Sequence, residues 1–197
     1  MSESNVYKTP ESSLIDIQEG DELSPFYVVS TRKFLIMYFF TVGFYPIYWF
    51  YRNWDHYSQA KNISMLPLGR AIFSIFFIVS LVGKIQDEME LKSRNQLTFP
   101  AGFIAAIWIA LMLVSSFVGV VEQNLGSPEL VVALWAASFF GVPAVMYQVQ
   151  RAINMACGDP DGHKNDQLTW KNIAWMAFFI SIYGFILKEP LLALIGN

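Results

Sequence analysis

Between Arg94 and Glu122 the chain carries no charged side chain. A helix needs roughly 20 apolar residues to cross the hydrocarbon core of a bilayer, and this stretch exceeds that. Backbone N–H and C=O groups find no water at that depth, so they must be paired within the segment, which leaves a helix as the conformation available to an isolated apolar run. Composition agrees. Apolar residues make up 54% of the 197-residue chain and charged ones 15%, against about 25% charged in an ordinary soluble domain. A water-soluble core of this size could not hide so much apolar surface, whereas lipid tails can solvate it.

Four further apolar segments accompany this one. The first, Phe34 to Tyr51, is uncharged but near the lower limit for a span. The second is charge-free from Ala71 to Gly83 and reaches spanning length if it starts near Leu66 and Arg70 snorkels to the headgroups. The fourth runs from Leu130 to Gln150. The fifth, Asn172 to Leu187, is short and is interrupted by Lys188-Glu189-Pro190. The expected fold is therefore all-α: a polytopic transmembrane bundle of about five helices, with four to five spans, over residues 31–197. A polar, acidic cytoplasmic tail, residues 1–30, precedes it.

Ser127-Pro128-Glu129 supplies an N-cap, an N1 proline and a first-turn acid for the fourth segment. The short turn before it makes the third and fourth segments an antiparallel hairpin. Trp49, Tyr51, Trp54 and Tyr57 crowd the end of the first segment, where an interfacial aromatic belt is expected. If all five segments span, one side holds Lys8, Arg32, Lys33, Lys84, Lys92, Arg94, Arg151, Lys164 and Lys171, and the other holds Arg52, Lys61, Arg70 and Lys188. Nine against four places the N-terminus in the cytoplasm. The first loop is nevertheless more basic than an external loop should be. A re-entrant first segment, broken near Gly43 and Pro46, is the alternative.

Residues 1–25 lack the basic start and short apolar core of a cleavable signal peptide. The tail reads as mobile up to about Ile15. Its Leu14–Ile17 and Phe26–Val29 runs have strand character around a Glu19-Gly20-Asp21 turn, and suit either a small hairpin or a plain linker. Gly43-Phe44-Tyr45-Pro46 and Phe140-Gly141-Val142-Pro143 suggest two weakly similar halves of inverted topology, as in many transporters.

A net charge of −3 argues against nucleic acid as a partner. One cysteine, Cys157, and two distant histidines, His56 and His163, give no usual zinc spacing. No nucleophile-base pair, carboxylate pair or phosphate loop is present, so no catalytic residue, metal or cofactor is expected and the chain reads as non-enzymatic. The candidate ligand- or partner-binding residues are five. Arg70 lies at the edge of an apolar segment, where an arginine either reaches headgroups or marks a site. Gln150 and Asn154 share a helix face four residues apart. Asp159 and Asn165 belong to the polar turn that follows, whose oxygen side chains at 159, 161 and 165 lack the closing glutamate of a calcium loop. The aromatics Tyr45, Tyr48, Trp49, Tyr51 and Trp54 beside Arg52 and Asn53 could also hold a headgroup or cation.

The run Thr41-Val42-Gly43-Phe44-Tyr45-Pro46-Ile47-Tyr48-Trp49 resembles a family of uncharacterised multi-span proteobacterial membrane proteins with a Thr-x-Gly-x-Tyr-x-x-Tyr-Trp motif in the first apolar segment. Pro67 to Phe73, and Gln150-Arg151-Ala152-Ile153-Asn154 with Gly158-Asp159-Pro160 and Asn165, are similar to later parts of the same proteins. Asn5-Val6-Tyr7-Lys8-Thr9-Pro10 is similar to an Asn-Pro-Tyr-x-x-Pro signature of proteobacterial inner-membrane proteins, with Val6 replacing the proline. The resemblance implies a bacterial inner membrane and supplies no activity. The expected partners are the lipid bilayer and a protein partner or second copy. The expected role is binding, or alternatively that of a small transporter or channel.

Overall fold

The computed structural model describes residues 24–41, 43–92, 100–125 and 127–195. The tail's Asn5–Pro10 signature, its Leu14–Ile17 run and its Glu19–Asp21 turn lie outside the described residues. The described chain is helical: α1 (Thr31–Phe40), α2 (Tyr45–Ala60), α3 (Pro67–Ile72), α4 (Ser74–Leu91), α5 (Ala101–Leu125), α6 (Pro128–Ala156) and α7 (Trp170–Ile195), with a single 3-10 turn at His163–Asn165.

Two of these helices are long and apolar enough to cross a membrane. Ala101–Asn124 and Pro128–Ala156 have mean hydropathies of 2.5 and 1.9, and only 24% and 28% of their most apolar stretches are buried. They form the expected hairpin. Ser127 caps α6 by accepting from the Leu130 N–H at 3.4 Å, with Pro128 behind it. Among the described residues the α5–α6 packing is the most extensive. A Cβ at Gly141 would stand 3.0 Å from the Leu111 methyls, so glycine sets how closely the two helices approach.

The first segment is not one helix. Gly43 adopts φ +86°, which a residue with a Cβ rarely tolerates, and the chain reverses there between α1 and α2. The break is internally satisfied. Thr41 Oγ1 donates to the Met37 carbonyl at 2.7 Å and accepts from the Tyr45 N–H at 2.9 Å. The Gly43 and Phe44 N–H groups bond to the Tyr38 and Thr41 carbonyls. The second segment is also divided, between α3 and α4 at Phe73, and α4 continues beyond Gly83 through Lys84, Asp87 and Glu88 to Leu91.

Both divided segments begin and end at the same end of the molecule. The α1 helix starts at Ser30, whose N–H bonds to the Asn165 carbonyl. The far half of α2 returns to that neighbourhood, where Asn53 Oδ1 accepts from the Tyr27 N–H at 3.2 Å. Just past α2, Lys61 pairs at 2.9 Å with Glu88, near the end of α4. The first N–H of α5, on Ala101, donates to Gln86 Oε1 at 3.4 Å. At the opposite, inner end of the first hairpin, Phe39 meets Phe139 of α6 and Phe44 stacks on Phe179 of α7. At 1.5 Å per residue those partners lie about 22 Å from Asn154 along α6 and about 14 Å from Trp170 along α7.

Three expectations are corrected. Trp49 and Trp54 are fully buried rather than interfacial, because α2 is amphipathic and turns its tryptophan face into the core. Pro143, unlike Pro46, lies inside an unbroken α6, so the two halves do not share a helix break. Helix α7 passes through Lys188-Glu189-Pro190 to Ile195, since a proline near a helix end removes only one bond of the ladder.

Candidate functional site

Residues 24–30 form an extended strap laid over the end of α6, and Phe26 and Val29 are fully buried. An extended chain in that position has backbone groups that no neighbouring strand can pair. Four side-chain amides replace the missing strand. Asn154 does so in both directions, with Nδ2 donating to the Val29 carbonyl at 3.0 Å and Oδ1 accepting from the Val29 N–H at 3.4 Å. Gln150, one turn earlier on the same face, donates to the Tyr27 carbonyl at 3.3 Å and to Asn154 Oδ1 at 2.7 Å, and accepts from the Trp49 indole. Asn165 donates to the Val28 carbonyl at 3.0 Å and to the Tyr27 hydroxyl at 2.9 Å. Asn53 takes the Tyr27 N–H and is itself fixed by donating to the Trp49 carbonyl at 2.9 Å.

Charged groups brace this clasp. Lys33, almost wholly buried, donates to Asn165 Oδ1 and to the Gln167 carbonyl, both at 2.7 Å. Burial draws its ammonium below the ordinary lysine range, and the carboxylate of Asp166 opposes that. Asp159 accepts from the His163 and Lys164 N–H groups at 3.0 and 2.9 Å. Its burial favours the neutral acid, but these backbone donors prevail and hold the carboxyl below its usual range. The turn so fixed places Gly162, at φ +71°, against the strap, where a Cβ would stand 2.5 Å from the Ser30 nitrogen. At the root of the strap, Arg52 donates to His56 Nε2 at 2.9 Å, and His56 Nδ1 faces the Ser24 carbonyl at 3.3 Å. A guanidinium can only donate, so this histidine is neutral. Burial and then Arg52 keep its pKa below the ordinary value.

Four of the five predicted residues thus meet in one place: Gln150, Asn154, Asp159 and Asn165. Arg70 does not join them. Its guanidinium lies over the Trp54 ring at 4.5 Å and the Phe77 ring at 4.9 Å, where α2, α3 and α4 pack. Lys33 and Asn53 also belong to the clasp; Lys33 was not predicted, and Asn53 was expected beside the aromatics as part of a headgroup or cation site rather than on the strap backbone. Asn53 had a signal, as a lone amide among buried aromatics, but nothing in the spacing tied Lys33 to position 165. The clasp amides thus direct their hydrogen bonds to the strap backbone, to one another and to neighbouring side chains. Comparison with protein-family models, with curated proteins and with solved structures finds no match for the chain.

Proposed function

We propose that the chain is an integral protein of a bacterial inner membrane that holds its acidic N-terminal tail at the cytoplasmic face for a protein partner and catalyses nothing. In this reading α5, α6 and α7 cross the bilayer, and the α1–α2 and α3–α4 hairpins are re-entrant. The tip of the α1–α2 hairpin reaches about half to three quarters of the way through a hydrocarbon core some 30 Å thick, as the Phe39–Phe139 and Phe44–Phe179 contacts suggest. Phe40, Phe44, Ile47, Ile72, Phe73 and Phe76 are exposed around the two hairpin tips, which suits lipid and not water. Non-helical backbone at that depth must be satisfied by protein, as Thr41 and its neighbours do.

This topology also accounts for the overly basic first loop. Lys8, Arg32, Lys33, Arg52, Lys61, Arg70, Lys84, Lys92, Arg94, Arg151, Lys164 and Lys171 fall on the strap side, leaving only Lys188 across the membrane. Twelve against one follows the positive-inside rule far better than nine against four. The observation that carries the functional reading is the clasp, which fixes the root of a tail bearing Glu3, Glu11, Asp16, Glu19, Asp21 and Glu22 at the bilayer surface. The transporter alternative draws no comparable support. Among the described residues, Leu81, Ile104, Trp108, Val142 and Met146 belong to one apolar core between α4, α5 and α6, which favours binding over transport through one copy.

Labelling tests the topology. In a Cys157→Ser background, Ile63→Cys, Lys164→Cys and Glu129→Cys are treated with an impermeant maleimide on sealed vesicles of either orientation. Positions 63 and 164 should react from one side and 129 from the other. Reaction of 63 together with 129 would restore the five-span arrangement. For the role itself, removing residues 1–23 should abolish co-purification of a partner without releasing the protein from the membrane, and unchanged recovery would refute it.

A further inference from the structure

Beside the clasp, on the outer face of α6, lies a hollow of about 370 Å³ lined by Thr31, Tyr147, Arg151, Met155, Pro160 and Asp161. Tyr147, Arg151 and Met155 follow one another at four-residue spacing and so share a helix face. That face is distinct from the one on which Gln150 and Asn154 grip the strap. The Arg151 guanidinium, exposed, stands 6.0 Å from the Tyr147 ring centre. Asp161 is exposed as well, with His163 Nε2 3.5 Å from its carboxylate. The hollow therefore presents one cation and one anion, both able to take a ligand. Its size sits at the lower end of small-molecule sites.

Resting on the membrane reading above, we propose that this hollow binds the zwitterionic phosphoethanolamine headgroup of a bilayer lipid. Arg151 offers paired donors to the phosphate, and the Asp161 carboxylate accepts from the ammonium, which has three N–H donors. A purely anionic headgroup would face the repulsion of Asp161. A choline headgroup has the charge but no N–H to donate. The position suits a lipid, because Phe140, 63% exposed, lies two turns below Tyr147 on α6 and continues the path an acyl chain would follow.

The full-length protein, incorporated into phosphatidylcholine vesicles doped with either phosphatidylethanolamine or phosphatidylglycerol, is extracted in mild detergent. Retained lipid is then weighed by native mass spectrometry. Phosphatidylethanolamine should be retained in preference to both other lipids. Arg151→Gln and Asp161→Asn should each lower its retention about tenfold, the loss expected for one charged hydrogen bond, with Arg151→Lys retaining part of the binding. Equal retention of phosphatidylglycerol or phosphatidylcholine, or wild-type retention in both neutralised variants, would overturn the proposal. Displacement of the lipid by an equal amount of free phosphoethanolamine would overturn the lipid as the source of the headgroup. Release of the chain from membranes by alkaline carbonate would instead sink the membrane reading, which separates the two failures.

Discussion

The two ends of α6 are built on different principles. Its first half, against α5, is apolar and largely uncovered, held by close packing at Gly141 and one capping serine. Its last turns are buried under a strap whose backbone is matched by Asn53, Gln150, Asn154 and Asn165. Lipid is as apolar as leucine, so burial of apolar surface adds little drive to association within the bilayer, and tight packing has to do the work there. In the clasp each buried polar group needs a partner or costs about 1–3 kcal/mol, so hydrogen bonds can specify one arrangement. Substitutions should therefore be costly at the clasp and mild on the hairpin.

The largest effect is expected for Asn154→Ala. It leaves both backbone groups of Val29, together with Gln150, short of a partner, and should destabilise the fold by about 3–5 kcal/mol. Thermal unfolding in detergent and faster proteolysis within residues 24–30 would register it; a loss below about 1 kcal/mol would mean that the amide is dispensable. Gly162→Ala should cost about 2–3 kcal/mol, since it combines a left-handed φ with a Cβ driven into the strap backbone. Asp159→Asn should cost about 1–2 kcal/mol and should alter the acid limb of stability. The Asp159 carboxyl is held below its ordinary value of 3.8. The wild type therefore has the full benefit above about pH 4 and loses it as pH falls through the folded-state value. The variant's melting temperature should vary less with pH across that window, and parallel profiles would refute the assignment. The smallest effect belongs to Trp135→Ala on the exposed face of α6: under about 0.5 kcal/mol in a lipid environment, despite the size of the side chain. A large loss there would reveal a protein surface where lipid is expected.

The hairpin was legible in the sequence because its signals are local: one long uncharged run, one cap and one short turn. Gln150 and Asn154 were legible as a pair for the same reason, since helical spacing puts them on one face. Their target was not, because a side chain that reads backbone imposes no residue type on the segment it grips. Phe26–Val29 showed strand character, and its pairing partner proved to be a set of amides rather than a strand. The helix breaks were harder still. An uncharged run from Phe34 to Tyr51 has the same composition whether it crosses the bilayer or turns back, and Gly43 with Pro46 was the only local hint. Arg70 looked like a member of a polar site because arginine is rare in such surroundings, yet two aromatic rings shield it. Proximity to Trp54 depends on how α3 folds back on α2, which no spacing within the chain encodes.

The separation in sequence between the strap and its grips has a consequence for biogenesis. Val29 is held by a residue 125 positions later, and Lys33 by one 132 positions later. A ribosome delivering the chain from its N-terminus exposes the strap long before α6 and the turn after it exist, so the earliest-made segment is among the last to be locked. Closure of the clasp must therefore wait until α6 and the turn after it have been made. An intermediate stalled before α6 would present the unpaired backbone of residues 24–30 to proteases and chaperones.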